Sequence, residues 1–272
     1  MIIKRISTLT LIICLLASPS YGETLDREKI IDLYSQAKQM FREANTLAAK
    51  DPAGARALYQ KSVMRYERIV KEGKIGNGKL FYNIGNIYFR IKDIGRAILN
   101  YRRAQRYIPN DPNLKQNLDY ARSIRMDRIK EKQKTQILKT LFFWHYDFST
   151  RTRVYIFTFS FILLWLLAMA RLFIHKSFLV WFLVFTAFFS TLFAGSLFSE
   201  SIYLNRIRPG VIISSPVIAR KGNSDTYEPS FKEPLHSGTE FTLIEKRGNW
   251  YQIELSDSRK CWVPEKDIEF VR

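Results

Sequence analysis

The chain has 272 residues, room for two modest domains, with a formal net charge of +18 and 20 Phe, 14 Tyr and 5 Trp. Cys14 and Cys261 are its only cysteines, and the first lies in a segment that processing would remove, which excludes a small disulfide scaffold. His145, His175 and His236 fall in separate segments without metal-ligand spacing, so no metal and no cofactor is assigned. In a cytosolic protein this charge would suggest nucleic acid. The targeting features below remove that partner and set the charge beside a bilayer, facing anionic lipid head groups or acidic proteins. A merely basic soluble surface is the alternative.

Residues 1–22 read as a signal peptide. Lys4 and Arg5 give a positive start, Ile6 to Ala17 is apolar, and Ser20-Tyr21-Gly22 offers small residues around a cut after Gly22. An uncut anchor would need a run closer to about 20 residues. A lipoprotein site at Leu11-Ile12-Ile13-Cys14 is disfavoured because Ile13 is too bulky beside the cysteine.

Residues 23–122 carry a helix-pair pattern. From Gly78 to Pro109, Phe81, Ile84, Gly85 and Tyr88 take one helix, and Ala97, Tyr101 and Ala104 a second, before Pro109 stops it. Gly85 and Ala97 permit close helix approach, and Asp93 and Gly95 supply turn chemistry. These offsets resemble the tetratricopeptide repeat of about 34 residues. A weaker copy precedes it: Phe41, Ala44 and Leu47 match the first helix, and Ser62 and Tyr66 the second. A longer turn at Lys50-Asp51-Pro52-Ala53-Gly54 is expected to absorb its excess length. Asn110-Asp111-Pro112 restarts a helix through about Arg122 that would cap the stack.

The resemblance implies a concave groove lined by the first helix of each pair and able to hold an extended peptide. On that register Asn45, Asn83, Asn86 and Asn117 face the groove, with Lys38, Arg42, Lys79 and Arg90 nearby. A primary amide can pair with both the N–H and the C=O of a ligand backbone. The set partly resembles one that clamps a terminal carboxylate, and departs from it where Tyr82 replaces a basic residue. Turn capping or solvation of the asparagines is the alternative.

Residues 123–148 read as a basic linker helix. Between Arg102 and Lys139 eleven Lys or Arg face four Asp or Glu, which suggests attraction to anionic lipid. Phe142, Phe143, Trp144, Tyr146 and Phe148 then form the aromatic cluster expected at a bilayer surface. Residues 149–204 form a transmembrane hairpin. Its apolar runs, Val154 to Ile174 and Phe178 to Phe198, are each long enough to cross a core of about 30 Å. Arg171, His175 and Lys176 mark the short turn as cytoplasmic, whereas Arg151, Arg153, Arg206 and Arg208 at the other end weigh against a simple charge count. The signal peptide decides for a two-pass protein of the cytoplasmic (inner) membrane with both soluble parts outside. Ala187, Thr191 and Gly195 give the second helix a small-residue face.

Residues 205–272 turn to short strands. Tyr251, Ile253 and Leu255 alternate with Gln252 and Glu254 between turns at Arg247-Gly248-Asn249 and Ser256-Asp257-Ser258. With Leu235, Gly238, Thr239, Gly248, Trp250 and Trp262-Val263, this resembles a bacterial SH3-like barrel, Cys261 replacing a usual glycine. Trp250 and Trp262 would line a barrel groove or pack the core. The expected fold is therefore multidomain: an all-α tetratricopeptide unit, a two-helix transmembrane hairpin and a small all-β SH3-like barrel.

Taken together, and with Tyr82-Asn83-Ile84-Gly85-Asn86, Asp93-Ile94-Gly95-Arg96-Ala97-Ile98 and Asn110-Asp111-Pro112, the chain resembles the BatE family of Bat aerotolerance proteins. The resemblance implies a membrane complex with von Willebrand A-type proteins, linked to a MoxR-type ATPase and to oxidative or envelope stress. The expected function is an extracytoplasmic scaffold. A cell-wall binder holding peptidoglycan peptides through the barrel is the alternative. An enzyme is not expected, because no nucleophile with its base, no phosphate loop and no paired acids are recognisable.

Overall fold

The computed structural model describes residues 25–129, 141–206 and 208–271. The leader expected over 1–22 and most of the expected linker lie outside the described residues.

Each helix of the N-terminal unit starts on a short polar side chain that accepts from a backbone N–H three residues on. Asp26 caps α1 (Arg27–Leu47), Asp51 caps α2 (Pro52–Lys71) and Asn77 caps α3 (Gly78–Arg90). Asp93 caps α4 (Ile94–Gln105) and Asp111 caps α5 (Pro112–Ile124). Such caps satisfy amide donors that the first turn leaves orphaned, and proline at the start of α2 and α5 costs nothing there. The excess length of the first pair lies in its helices, of 21 and 20 residues against 13 and 12 in the second, and not in the turn. Asp51 and Pro52 form a cap and a first helical position, so helix begins where a longer turn was expected.

Inside, Ala37, Ala44, Tyr66, Ile69, Ile84, Ile87, Ala97, Ile98, Leu99, Tyr101, Leu114 and Leu118 are buried. At Gly85 a Cβ would lie 2.6 Å from the Tyr101 ring, so the missing side chain is what lets α3 and α4 close on each other.

Past Ile124 the chain leaves the helix, so residues 125–129 are not the helical linker expected there. Asp127 gives the reason: its carboxylate accepts from the His236 backbone N–H at 2.7 Å and the Thr239 hydroxyl at 2.6 Å, which ties this stretch to the C-terminal unit.

A short helix, α6 (Phe143–Tyr146), precedes an antiparallel pair, α7 (Thr150–Phe173) and α8 (Ser177–Arg206). Both are long and apolar enough to cross a membrane, and most of their large side chains are exposed, Trp165 and Trp181 among them.

Residues 208–271 form a five-stranded antiparallel sheet of order β4-β3-β2-β1-β5. The strands are β1 (Arg208–Ile212), β2 (Glu240–Arg247), β3 (Trp250–Leu255), β4 (Lys260–Pro264) and β5 (Ile268–Phe270). Tyr251, Ile253 and Leu255 point inward and alternate with half-buried neighbours, as period-two patterning requires. Arg220 covers the free edge of β4 through two backbone bonds with Trp262, both 2.8 Å. Val211 and Val271 join the helical core instead of the sheet's own, so the two units share apolar packing.

Candidate functional site

Two of the four asparagines expected in a groove meet, Asn86 and Asn117. The Asn117 amide donates to Asn86 Oδ1 and to the Tyr82 hydroxyl, both at 3.0 Å, and Asn83 bonds the Tyr66 hydroxyl. Asn86 Oδ1 also accepts from Tyr101 at 2.9 Å. Asn45 stands apart and accepts from Tyr59 at 2.7 Å, the same first-helix to second-helix pairing one helix pair earlier. Burial pushes the Tyr66 hydroxyl up to about 12, helped by Tyr34 and opposed by the Asn83 bond, and raises Tyr101 as well. Tyr101 and Tyr59 donate, so the Asn86 and Asn45 oxygens are occupied from within, whereas neither of the bonds to Asn86 uses its Nδ2 hydrogens. Lys38, Arg42, Lys79 and Arg90 are exposed and form no ion pair among the described residues.

The sequence reading missed a second charged assembly, at the junction of the two units. Glu240, 17 % exposed, sits among Arg102 at 3.2 Å, Arg122 at 2.8 Å and Arg125 at 3.1 Å. Burial alone would raise this carboxyl; the three guanidinium groups outweigh it and hold it at about 2. Glu269 faces Arg103 at 3.4 Å and Arg96 at 3.7 Å, and Arg103 also donates to the Phe270 carbonyl at 2.8 Å. Burial lowers Arg103, while Glu269 pulls it back toward the charged form. Burial likewise works against the charged form of Asp127, yet bonds from Thr239 and His236 hold it below the ordinary carboxylate value.

Gly95, expected as a turn residue, has a different role. A Cβ there would lie 2.9 Å from the Ile212 carbonyl and 3.1 Å from Ile213 Cα, so glycine admits the end of β1 against α4. Of the eleven basic residues between Arg102 and Lys139, Arg102, Arg103, Arg106, Arg122 and Arg125 all contact the C-terminal unit. The sequence signal was those arginines lying three or four apart on α4 and α5, which places them on one face.

In the C-terminal unit Trp250 is half-buried, while Trp262 is 5 % exposed under the Arg247 guanidinium, 5.4 Å from its ring. Of the two tryptophans expected in a barrel groove, Trp250 alone offers open surface. Burial pushes the Cys261 thiol up to about 12, which leaves it an inert core residue.

A third polar cluster closes the open end of the α7–α8 hairpin. Arg153, 4 % exposed, pairs with Glu200 and donates to Ser196 Oγ at 2.9 Å, and Thr150 donates to Glu200 at 2.8 Å. His145 lies 2.8 Å from Ser196 Oγ. Burial and then Arg153 lower its basicity.

The chain is thus a helix-pair unit held by charge to a five-stranded β unit, with two membrane-length helices between them in sequence. No family model, curated protein or solved structure matches it. Among the described residues no group of His, Cys, Asp or Glu could hold a metal ion.

Proposed function

We propose that the protein is a membrane-anchored extracytoplasmic scaffold that binds protein partners through the groove of a tetratricopeptide-type unit, within a Bat-type envelope or oxidative-stress complex. The observation that carries this reading is the distribution of contacts. The β unit packs on α4 and on the C-terminal end of α5, while Lys38, Arg42, Asn45, Lys79, Asn83, Asn86, Arg90 and Asn117 make no hydrogen bond or ion pair to it among the described residues. The SH3-like β unit then serves as a built-in cover for one face of the repeats and leaves the other to a partner. Von Willebrand A-type membrane proteins are the partner class that the Bat resemblance suggests. Direct contact between the two units supports placing both on one side of the hairpin; the outer side follows from the leader.

The test is co-purification of the tagged full-length protein in mild detergent, with partners identified by mass spectrometry. Arg42→Glu with Arg90→Glu should lower partner recovery by roughly tenfold or more, as loss of about 1.4 kcal/mol or more implies. Undiminished recovery with an intact fold overturns the groove.

A further inference from the structure

The tertiary structure sets one end of the soluble part at the level where α8 leaves its apolar stretch. The apolar run of α8 ends at Phe198, the helix at Arg206, and β1 starts at Arg208. With one residue between helix and strand, β1 begins within about 20 Å of that apolar end. It cannot run back into hydrocarbon, because a charged domain would follow it there. It therefore runs along or away from the surface.

Register then decides what lies behind its first residue. Arg208 pairs with Leu243, and β2 continues for four more residues, Ile244 to Arg247, before turning at Gly248 and Asn249 into Trp250. That tip overshoots the start of β1 by on the order of 10 Å, on the side of the helix end. The helical unit reaches the same level. Gly95 at the start of α4 meets Ile212, while Arg106 just past its end donates to Val271, whose N–H bonds Pro209. So α4 runs antiparallel to β1, and its C-terminal turn, with exposed Tyr107, comes level with the chain's exit from α8.

The chemistry of this rim suits a bilayer surface. Ile244 and Tyr107 are exposed and Trp250 half-exposed, the apolar and amphipathic types that settle among head groups. Lys246 pairs with Glu265 at 2.9 Å and Arg247 with Glu245 at 3.0 Å, so these cations are locally balanced. Arg106 and Arg208 have no carboxylate partner among the described residues and supply the net positive charge. We propose that the β2–β3 tip, together with the rim formed by Arg106, Tyr107 and Arg208, is a lipid-facing surface that takes anionic phospholipid head groups and holds the soluble part upright on the membrane. This rests on α7 and α8 spanning the membrane, and it concerns residues outside the basic linker.

The experiment uses the full chain in nanodiscs of phosphatidylcholine, with or without phosphatidylglycerol. Single cysteines for a fluorophore are placed at Asn249→Cys on the tip, Lys260→Cys at the far end of the β unit and Phe188→Cys in α8, in a Cys14→Ser background that keeps buried Cys261. A head-group spin-labelled lipid should quench the Asn249 label severalfold more than the Lys260 label. Phosphatidylglycerol should increase the difference, and high salt or Arg106→Glu with Arg208→Glu should abolish that increase. Equal quenching of both labels, with the Phe188 label quenched by an acyl-chain spin label, overturns this proposal alone. An unquenched Phe188 label overturns the membrane reading and this proposal with it. Quenching indifferent to phosphatidylglycerol overturns the anionic-lipid assignment.

Discussion

At Glu240 three arginines from two helices converge on one barely exposed carboxylate, and its titration is the most direct readout of the junction. Its folded value of about 2 lies below its ordinary 4.5, so its contribution is complete above 4.5 and is lost as pH falls toward 2. A depression of this size corresponds to about 3 kcal/mol. Chemical denaturation of the detergent-solubilised protein should show stability falling through this window. Glu240→Gln should remove that pH dependence and lower stability by about 3 kcal/mol at neutral pH, because three clustered cations lose their counter-charge. Gly85 and Asn86, neighbours on α3, separate architecture from recognition. Gly85→Leu drives a side chain into the Tyr101 ring and should cost about 1–3 kcal/mol in thermal melting. Asn86→Ala strips the acceptor from Tyr101 and Asn117, so besides weakening partner binding it should cost about 1 kcal/mol of stability.

Elements meet through small residues and paired charges. The contact of α4 with β1 depends on Gly95, and Gly95→Leu should lever the strand away while leaving the helices' own cores untouched. Helical circular dichroism should stay unchanged as amides of β1 and β5 lose protection from hydrogen exchange; equal loss in α3 and α4 would show that the two units do not separate. In the α7–α8 hairpin, Glu200→Ala leaves nearly buried Arg153 with hydroxyl and imidazole neighbours and no carboxylate. Breaking one side of such a pair costs about 3–5 kcal/mol, and the hairpin should unfold at correspondingly lower temperature in detergent.

For the whole molecule, the two soluble units touch, which agrees with the proposal that α7 and α8 form a two-pass hairpin with both units on one side. Protease added to intact spheroplasts should cut near both Lys79 and Lys232; protection of either one would sink the outer placement. Much of this architecture was legible along the chain. The helix start at Asp111-Pro112, the two apolar runs and the alternation at Tyr251, Ile253 and Leu255 each express a local rule of capping, length or period. The four asparagines expected to line a groove lie on α1, α3 and α5, yet their tyrosine partners sit 14 to 35 residues away and carry no local mark.

Sequence alone determined what depends on neighbours within a turn or a strand: where helices begin, which stretches are apolar enough to cross a membrane, and which strand residues face inward. Only the tertiary structure decided what the charges do. Arg102, Arg122 and Arg125 read as part of a basic run attracted to anionic lipid until Glu240, more than a hundred residues later, is folded against them. Gly95 reads as a turn residue until β1 arrives beside it. Burial and pairing arise from surfaces brought together across long sequence separations, and neither period nor composition encodes which surfaces those are.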